Sequence, residues 1–227
     1  MPARSHTCYP YNGEDLEPRW TVLVVWSRRL LPQTIAVIEA IAVLCQFIQQ
    51  TDPRSPLVYF TVLSGALAGI AAVTEVVTHR RLVGIDAGRL TSAVGVVVSA
   101  IIFAAVIAPA SPTGTWFQPW DDGWVRTATV LFHAVAPVLV IADLCLRRPQ
   151  LSRGQWMLAA YCWPLTYLVG LAVAATVGDV TIPYPFLSPG HMGWGIVVIA
   201  IASLAGIFGV VGGVLYYGSA MWSHRRS

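Results

Sequence analysis

The chain has 227 residues, of which 56% are hydrophobic and only 11% are charged. A soluble domain carries about 25% charged residues because its surface must stay wet, so this composition excludes an ordinary soluble fold. The net charge of +3, without a basic stripe, argues against a nucleic-acid partner. The 4 cysteines show neither CxxC nor metal-ligand spacing, so we expect no metal and no cofactor.

Apolar segments long enough to cross a bilayer follow one another along the chain. A transmembrane helix needs about 20 apolar residues. Six segments meet that length: 30–48, 57–78, 90–109, 124–146, 155–177 and 192–217. Because lone strands leave their backbone unpaired in lipid, the sequence predicts an all-α fold, a six-helix transmembrane bundle within residues 29–218. Residues 1–28 are predicted to form a polar, mobile segment, and residues 219–227 a short basic cytoplasmic tail.

The arginines indicate an orientation, since cytoplasmic loops of membrane proteins are enriched in basic residues. Twelve arginines lie on the side of the two chain ends, whereas Arg54 and Arg126 lie on the other. The sequence therefore predicts that both termini are cytoplasmic and that this is a multi-pass protein of the cell membrane. The stretch 86–88, which contains Asp86, is predicted to lie in the connection between the second and third helices.

Small and aromatic residues give two further predictions. Gly65 and Gly69, like Gly209 and Gly213, have the GxxxG spacing that lets transmembrane helices approach closely. We expect both pairs at helix–helix contacts, and the sequence does not indicate an oligomeric state. Tryptophans favour the headgroup region, so those near the predicted helix ends, Trp156 included, are predicted to anchor the protein at the membrane surfaces.

Ionisable residues within transmembrane helices are costly and mark functional sites by default. The predicted helices contain Glu39, Glu75, His133 and Asp143. The basic run 79–81 follows Glu75 within about one helical turn, and Arg147 follows Asp143 likewise. For these two carboxylates the sequence predicts interfacial ion pairs.

Glu39 and His133 differ, because no cation is near them in the sequence. From the rise per residue of a helix, both lie at a similar depth below the predicted outer surface, and Thr61 and Ser64 lie on one face of the second helix. These four side chains are candidates to line one pocket. A hydroxyl beside a base is the minimum for nucleophilic acyl transfer, so Thr61 and His133 form the candidate catalytic pair. The alternative is that Thr61 caps its helix or bonds to the backbone, and that His133 bonds to a neighbouring helix.

Four motifs occur in order along the chain: 59–64 (YFTVLS), 133–143 (H-x3-P-x5-D) and 163–167 (WPLTY) in predicted helices, and 183–187 (PYPFL) before the sixth. The set resembles the bacterial branch of the androgen-induced-protein family of six-helix membrane proteins, over residues 30–217. The chain departs from that pattern at Gly65, where bacterial relatives often have asparagine. It also departs at Ser188, where they often have an acidic residue.

The resemblance implies a function. Animal members of the family hydrolyse fatty-acid esters of hydroxy fatty acids with an intramembrane threonine nucleophile and a histidine, which match Thr61 and His133. We therefore expect a lipid-ester hydrolase that acts among membrane lipids on a fatty-acid ester, with Glu39 as a candidate to orient His133. The aromatic segment 110–123 is either a lid or an anchor. The alternative function is a non-enzymatic lipid- or ligand-binding protein, or a small transporter, that uses the same pocket.

Overall fold

The computed structural model describes the backbone of residues 19–52, 54–78, 82–178 and 180–224, and the side chains of residues 30–52, 54–78, 82–178 and 180–222. Within this part of the chain, six helices are long and apolar enough to cross a membrane. They are α1 (Arg19–Ile48), α2 (Phe60–Thr78), α3 (Val83–Ala110), α4 (Gly123–Leu146), α5 (Arg153–Val177) and α6 (Pro189–His224). For the described residues, the predicted all-α transmembrane fold is confirmed.

The boundary predicted between α2 and α3 is wrong. Asp86 lies in the first turn of α3, not in a connection, and it is buried. Its carboxylate accepts hydrogen bonds from Arg89 at 2.9 Å and from the backbone N–H of Gln150 at 2.7 Å. Because partners satisfy this polar residue, it does not end the helix. The helical backbone of α1 and α6 extends into segments 1–28 and 219–227, whose residues 1–18 and 225–227 lie outside the described part.

Two helices contain a π-helical turn. These turns cover Phe103–Ile107 in α3 and Leu131–Val135 in α4, and each is followed by a proline, Pro109 or Pro137. Proline lacks an N–H, and its ring crowds the carbonyl four residues earlier, which for Pro137 is the carbonyl of His133. The wider π turn relieves that crowding. Such turns are frequent at functional sites.

α3 is the central helix of the bundle. In its most apolar window 50% of the residues are buried, compared with 22% in α6. It packs against α2, α4, α5 and α6, while α1 covers α2 and α4. The buried core includes Leu90 and Val94 of α3, Leu144 of α4, Trp156 of α5 and Phe208 of α6. The α1–α2, α3–α4 and α5–α6 connections share one end, which we call the outer end after the predicted orientation. The orientation itself stays a prediction.

The glycine prediction is confirmed for α2. A Cβ at Gly65 would lie 2.5 Å from a carboxyl oxygen of Glu39, and one at Gly69 would lie 3.3 Å from the Glu39 Cβ. Glu39 of α1 therefore lies across the groove that these glycines leave. In α6, a Cβ at Gly209 would lie 2.5 Å from the hydroxyl of Tyr161, whereas Gly213 faces open space.

The anchoring prediction for Trp156 is wrong. Its side chain is 0% exposed and belongs to the core between α5 and α6. The indole Nε1 donates a hydrogen bond to the carbonyl of Gly212 at 2.9 Å. Trp156 therefore forms a contact between α5 and α6. Its ring fills the core, and its N–H bonds a backbone carbonyl of a glycine in the other helix.

Candidate functional site

A cavity of about 100 Å³ lies in the outer half of the bundle, between α2, α3, α5, α6 and the α5–α6 connection. Most of its wall is aliphatic or aromatic, with Phe60, Leu168 and Phe208 as examples. The residues of the wall that carry a side-chain hydroxyl are Thr61, Ser99, Tyr161, Tyr167 and Tyr184. The wall therefore suits an apolar ligand, and it contains few polar side chains.

Thr61 is the second residue of α2 and lies where the first backbone N–H groups of that helix have no partner within the helix. Tyr184, from the α5–α6 connection, reaches this end of α2. Its hydroxyl accepts a hydrogen bond from the N–H of Phe60 at 3.1 Å and lies within hydrogen-bonding range of the Thr61 side chain. The connection thereby caps α2 and brings a second hydroxyl to Thr61.

The Tyr184 hydroxyl is a hydrogen-bond donor and not a base at neutral pH. Burial raises the pKa of Tyr184 to about 12, against the opposing effect of the neighbouring Phe60 N–H and the Thr61 hydroxyl. Tyr167 of α5 donates the proton of its own hydroxyl to the carbonyl of Val58 at 2.7 Å. The Tyr184 phenol therefore keeps its proton at neutral pH while its oxygen accepts the N–H of Phe60.

His133 lies in the π turn of α4. Its ring stacks on Phe103 of the facing π turn in α3, with centroids 3.9 Å apart and ring planes 3° apart. Trp116 of the α3–α4 connection packs edge-on against the other side of this pair, 5.3 Å from Phe103. The His133 Nδ1 is buried and has no hydrogen-bond partner among the described residues. This nitrogen is thus held in a fixed plane and is free to bind a proton or a donor.

The structure places the neighbours of the predicted catalytic pair together. Val62 and Phe132, which adjoin Thr61 and His133 in the sequence, belong to one buried cluster. The two side chains themselves have different surroundings. Thr61 lies in the wall of the cavity, whereas His133 is not among the residues of that wall and stacks on Phe103.

Ser64 and Glu39, the predicted pocket residues, also lie outside the cavity wall. Ser64 is fully buried, and its hydroxyl accepts a hydrogen bond from the indole of Trp163 at 2.9 Å. It joins α2 to α5 beside Gly95, where a Cβ would lie 2.8 Å from the Ser64 oxygen. Glu39 is 1% exposed, and neither of its carboxyl oxygens has a hydrogen-bond partner among the described residues.

A second polar cluster occupies the inner half of the bundle and consists of Glu75, Asp86, Arg89, Asp143 and Arg147. Arg89 bonds Asp143 at 2.5 Å and lies 3.4 Å from Glu75, while Arg147 pairs with both Asp143 and Glu75. The predicted pair of Asp143 with Arg147 is confirmed. The described partners of Glu75 are Arg89 and Arg147, and the predicted ones in 79–81 lie outside the described residues.

The sequence missed the contacts of Tyr184 and Phe103. Tyr184 stands in the PYPFL motif, but nothing in that motif indicates that its hydroxyl reaches the start of a distant helix. For Phe103 a signal exists, because Pro109 and Pro137 each mark a disturbed turn four residues before the proline. The turns alone do not show that they face each other.

No protein-family model, curated protein or solved structure matches this chain. Fold and composition therefore define it by class, as a multi-pass α-helical membrane protein whose helices require a lipid environment. Among the described residues, no group of three or more histidine, cysteine or acidic side chains is placed to hold a metal ion.

Proposed function

We propose that this protein binds a lipid ester with part of an acyl chain in the cavity, and that Thr61 cleaves the ester as the nucleophile. The observation that carries this proposal is that Thr61 lies in the wall of a mostly apolar cavity. The cavity, of about 100 Å³, compares with engineered cavities of about 150 Å³ that hold benzene. It has room for a short stretch of acyl chain.

The rest of the ligand would extend into the bilayer. Leu165 of α5 and Ile201 of α6 belong to the cavity wall. They are 59% and 40% exposed on the periphery of the bundle. In a membrane this surface contacts lipid tails, so a lipid reaches the cavity laterally, between α5 and α6, without leaving the bilayer. This route suits a substrate that is insoluble in water.

The reaction is acyl transfer in two steps. The Thr61 oxygen attacks the carbonyl carbon, its proton passes to a base, and the alcohol leaves with a proton to give an acyl-threonine. Water then attacks the acyl group by the same route and releases the acid and free Thr61. We propose His133 as the base, on the resemblance and on its unpartnered Nδ1. It must approach Thr61 directly or through one water when substrate binds.

Tyr184 supports the reaction as the oxyanion donor. Its protonated phenol lies beside Thr61 in the cavity wall, so it can donate a hydrogen bond to the carbonyl oxygen as negative charge develops there. The alternative function is lipid binding without hydrolysis. That alternative is favoured by the stacking of His133 on Phe103, outside the cavity wall.

The test combines a binding assay with a hydrolysis assay on protein in nanodiscs. Thr61→Val keeps the side-chain volume and should lower long-chain ester hydrolysis by roughly 10³-fold or more, as loss of a nucleophile does, while Thr61→Ser keeps activity. Thr74→Val is the matched control, because Thr74 is exposed on the same helix and its hydroxyl bonds the carbonyl of Ile70 at 2.7 Å.

The binding assay separates the two functions. Leu204→Trp fills the cavity and should reduce photo-crosslinking of a fatty-acid ester probe, whether or not the ester is cleaved. Crosslinking that Leu204→Trp abolishes, together with no hydrolysis by the wild type, would establish the non-enzymatic alternative. Hydrolysis that Thr61→Val leaves unchanged would instead eliminate Thr61 as the nucleophile. Crosslinking at the wild-type level in Leu204→Trp would rule out the cavity as the binding site.

A further inference from the structure

Glu39 is an acidic side chain in the middle of the bundle that the proposed reaction does not use. It lies on α1 well inside the predicted transmembrane span and is 1% exposed. Both of its carboxyl oxygens are buried without a hydrogen-bond partner among the described residues. Polar groups in such a position are normally hydrogen-bonded, because burial without a partner costs several kcal/mol.

The neighbouring helices leave a fitted space for this side chain. Gly69 of α2 lies against the Glu39 Cβ, and Gly65, one turn earlier, lies against the carboxyl group. A side chain at Gly65 would overlap both the carboxyl group and the Phe132 ring of α4. The carboxyl group is therefore enclosed between α1, α2 and α4 by two glycines and an aromatic ring, and no described cation forms an ion pair with it.

The ionisable groups on these three helices do not compensate a charge on Glu39. Of the described arginines on or next to α2 and α4, Arg147 is bound to Asp143 and Glu75 in the inner cluster. Arg126 donates to the carbonyls of Asp121 and Gln118 at the outer end, and Arg148 lies over the ring of Tyr216. Cys45 lies on α1 itself and is buried. His133 follows Phe132 in the sequence, but its ring stacks on Phe103 and its Nδ1 makes no hydrogen bond to any described residue. An ionised Glu39 would thus be an unpaired charge in a low-dielectric interior, which is far more costly than a neutral carboxylic acid.

We propose that the Glu39 carboxyl group is an intramembrane proton-binding site, which holds a proton while α1 packs on α2 and α4. The proton is released only when α1 separates from Gly65 and Phe132 and water reaches the carboxylate. Protonation of this one group is therefore coupled to the packing of α1. This inference is independent of the reaction at Thr61, because Glu39 lies outside the cavity wall.

Infrared spectroscopy tests the protonation directly. At neutral pH in nanodiscs, wild-type protein should show the C=O stretch of a protonated carboxylic acid, a band that ionised carboxylates lack. Glu39→Gln should abolish this band, whereas Asp121→Asn, in the α3–α4 connection, should leave it unchanged. Acidifying the same sample provides the positive control, because the exposed carboxylates then gain the band. Absence of a Glu39-dependent band at neutral pH, in protein whose helix content is intact, would overturn the proposal.

The coupling to α1 packing has its own measurement. As pH rises, wild-type protein should lose the band together with protection of the α1 backbone from hydrogen exchange. Glu39→Gln is neutral at every pH, so its α1 should stay protected over the same range. If α1 protection in the wild type and in Glu39→Gln falls equally with pH, the carboxyl group is not the coupled site.

Discussion

Gly65 shows how one missing side chain sets the contact of three helices. A Cβ at this position would lie 2.5 Å from Glu39 and would overlap Phe132. Gly65→Ala should therefore force α1 and α4 apart and destabilise the bundle by about 1–3 kcal/mol, the usual cost of overpacking a core. Gly206→Ala is the control, because a Cβ there meets nothing within 4 Å. Thermal unfolding in detergent compares the two, and equal stability would contradict the proposed fit.

Tyr184 connects two roles at the residue scale, the cap of α2 and the proposed donor to the substrate carbonyl. Tyr184→Phe keeps the ring but leaves the N–H of Phe60 without its acceptor at 3.1 Å. We expect a small loss of stability, about 1–3 kcal/mol for an unsatisfied buried donor. If the proposed reaction is correct, kcat should fall with little change in KM, since an oxyanion donor acts in the transition state. An unchanged kcat would remove Tyr184 from the reaction.

At the scale of elements, the inner cluster joins α2, α3 and α4 through charged side chains in place of close packing. Arg89 is bonded to both Asp86 and Asp143, and all three side chains are at most 6% exposed. Arg89→Leu would leave the buried Asp86 without its cation and Asp143 with Arg147 alone, which should cost about 3–5 kcal/mol. Arg54→Ala breaks an exposed pair with Asp52 and should cost at most about 1 kcal/mol. Chemical unfolding of the two variants in the same detergent measures this difference.

The connections at the outer end depend on Asp122, which caps α4. Its carboxylate accepts hydrogen bonds from the N–H groups of Gln50 at 2.9 Å and of Trp124 at 2.8 Å. These bonds, that of Gln50 first, lower the pKa of Asp122 below its ordinary value. A lowered pKa in the folded state means that the stabilisation is present above the ordinary pKa of about 3.9 and is lost as pH falls through the folded value.

Asp122→Asn tests this dependence, because asparagine fits the cap position but does not titrate. The melting temperature of the wild type should fall more steeply on acidification than that of Asp122→Asn. Parallel melting curves at acidic pH would show that another group controls the loss. Near neutral pH the wild type should be the more stable of the two, since only the carboxylate has a full charge at the start of α4.

The elements that the sequence predicted well are those fixed by local composition. The apolar spans follow from hydropathy alone, and the Asp143–Arg147 pair follows from spacing within one helix. What the sequence did not predict depends on contacts between distant helices. The stretch 86–88 interrupts the apolar pattern and so predicts a connection. Only the bonds of Asp86 to Arg89 and Gln150 explain why α3 includes it.

The candidate site shows the same difference between features set by local sequence and contacts between distant helices. Thr61 could be chosen from its place at the start of a helix and from a motif, and it does lie in a cavity wall. The sequence also grouped Ser64 with it on one helical face, but the Trp163 indole binds the Ser64 hydroxyl between α2 and α5. Periodicity within one helix gives the face of a residue, and not which neighbouring helix covers that face.

At the scale of the whole molecule, the inner polar cluster changes the count of arginines on the two sides of the membrane. In the folded bundle Arg89 and Arg147 are paired with buried carboxylates, so a stricter count of free cations leaves them out. Ten of the twelve arginines on the predicted cytoplasmic side remain, and on the other side Arg54 is itself paired with Asp52. The asymmetry that predicts the orientation is therefore retained after this correction.

Cysteine labelling of intact cells tests that orientation, in a background without the native cysteines. Suitable positions are exposed, and any side-chain hydrogen bonds they make, such as those of Thr113 to Thr115 and Gln118, stay within one connection. Gly84 and Gln150 lie at the inner end, where a Cβ at Gly84 meets nothing within 4 Å and only the backbone of Gln150 bonds Asp86. Thr113 lies in the exposed α3–α4 connection at the outer end.

A membrane-impermeant thiol reagent should modify Thr113→Cys in intact cells, because the predicted outer end faces the medium. It should modify Gly84→Cys and Gln150→Cys only after the cells are permeabilised, which also shows that both thiols are accessible. Agreement between these two positions matters, since they follow different helices and report on the same face. Labelling of Gly84→Cys and Gln150→Cys in intact cells, with protection of Thr113→Cys, would invert the topology. The cavity with Thr61 would then open toward the cytoplasmic leaflet, and lipids of that leaflet would become the candidate substrates.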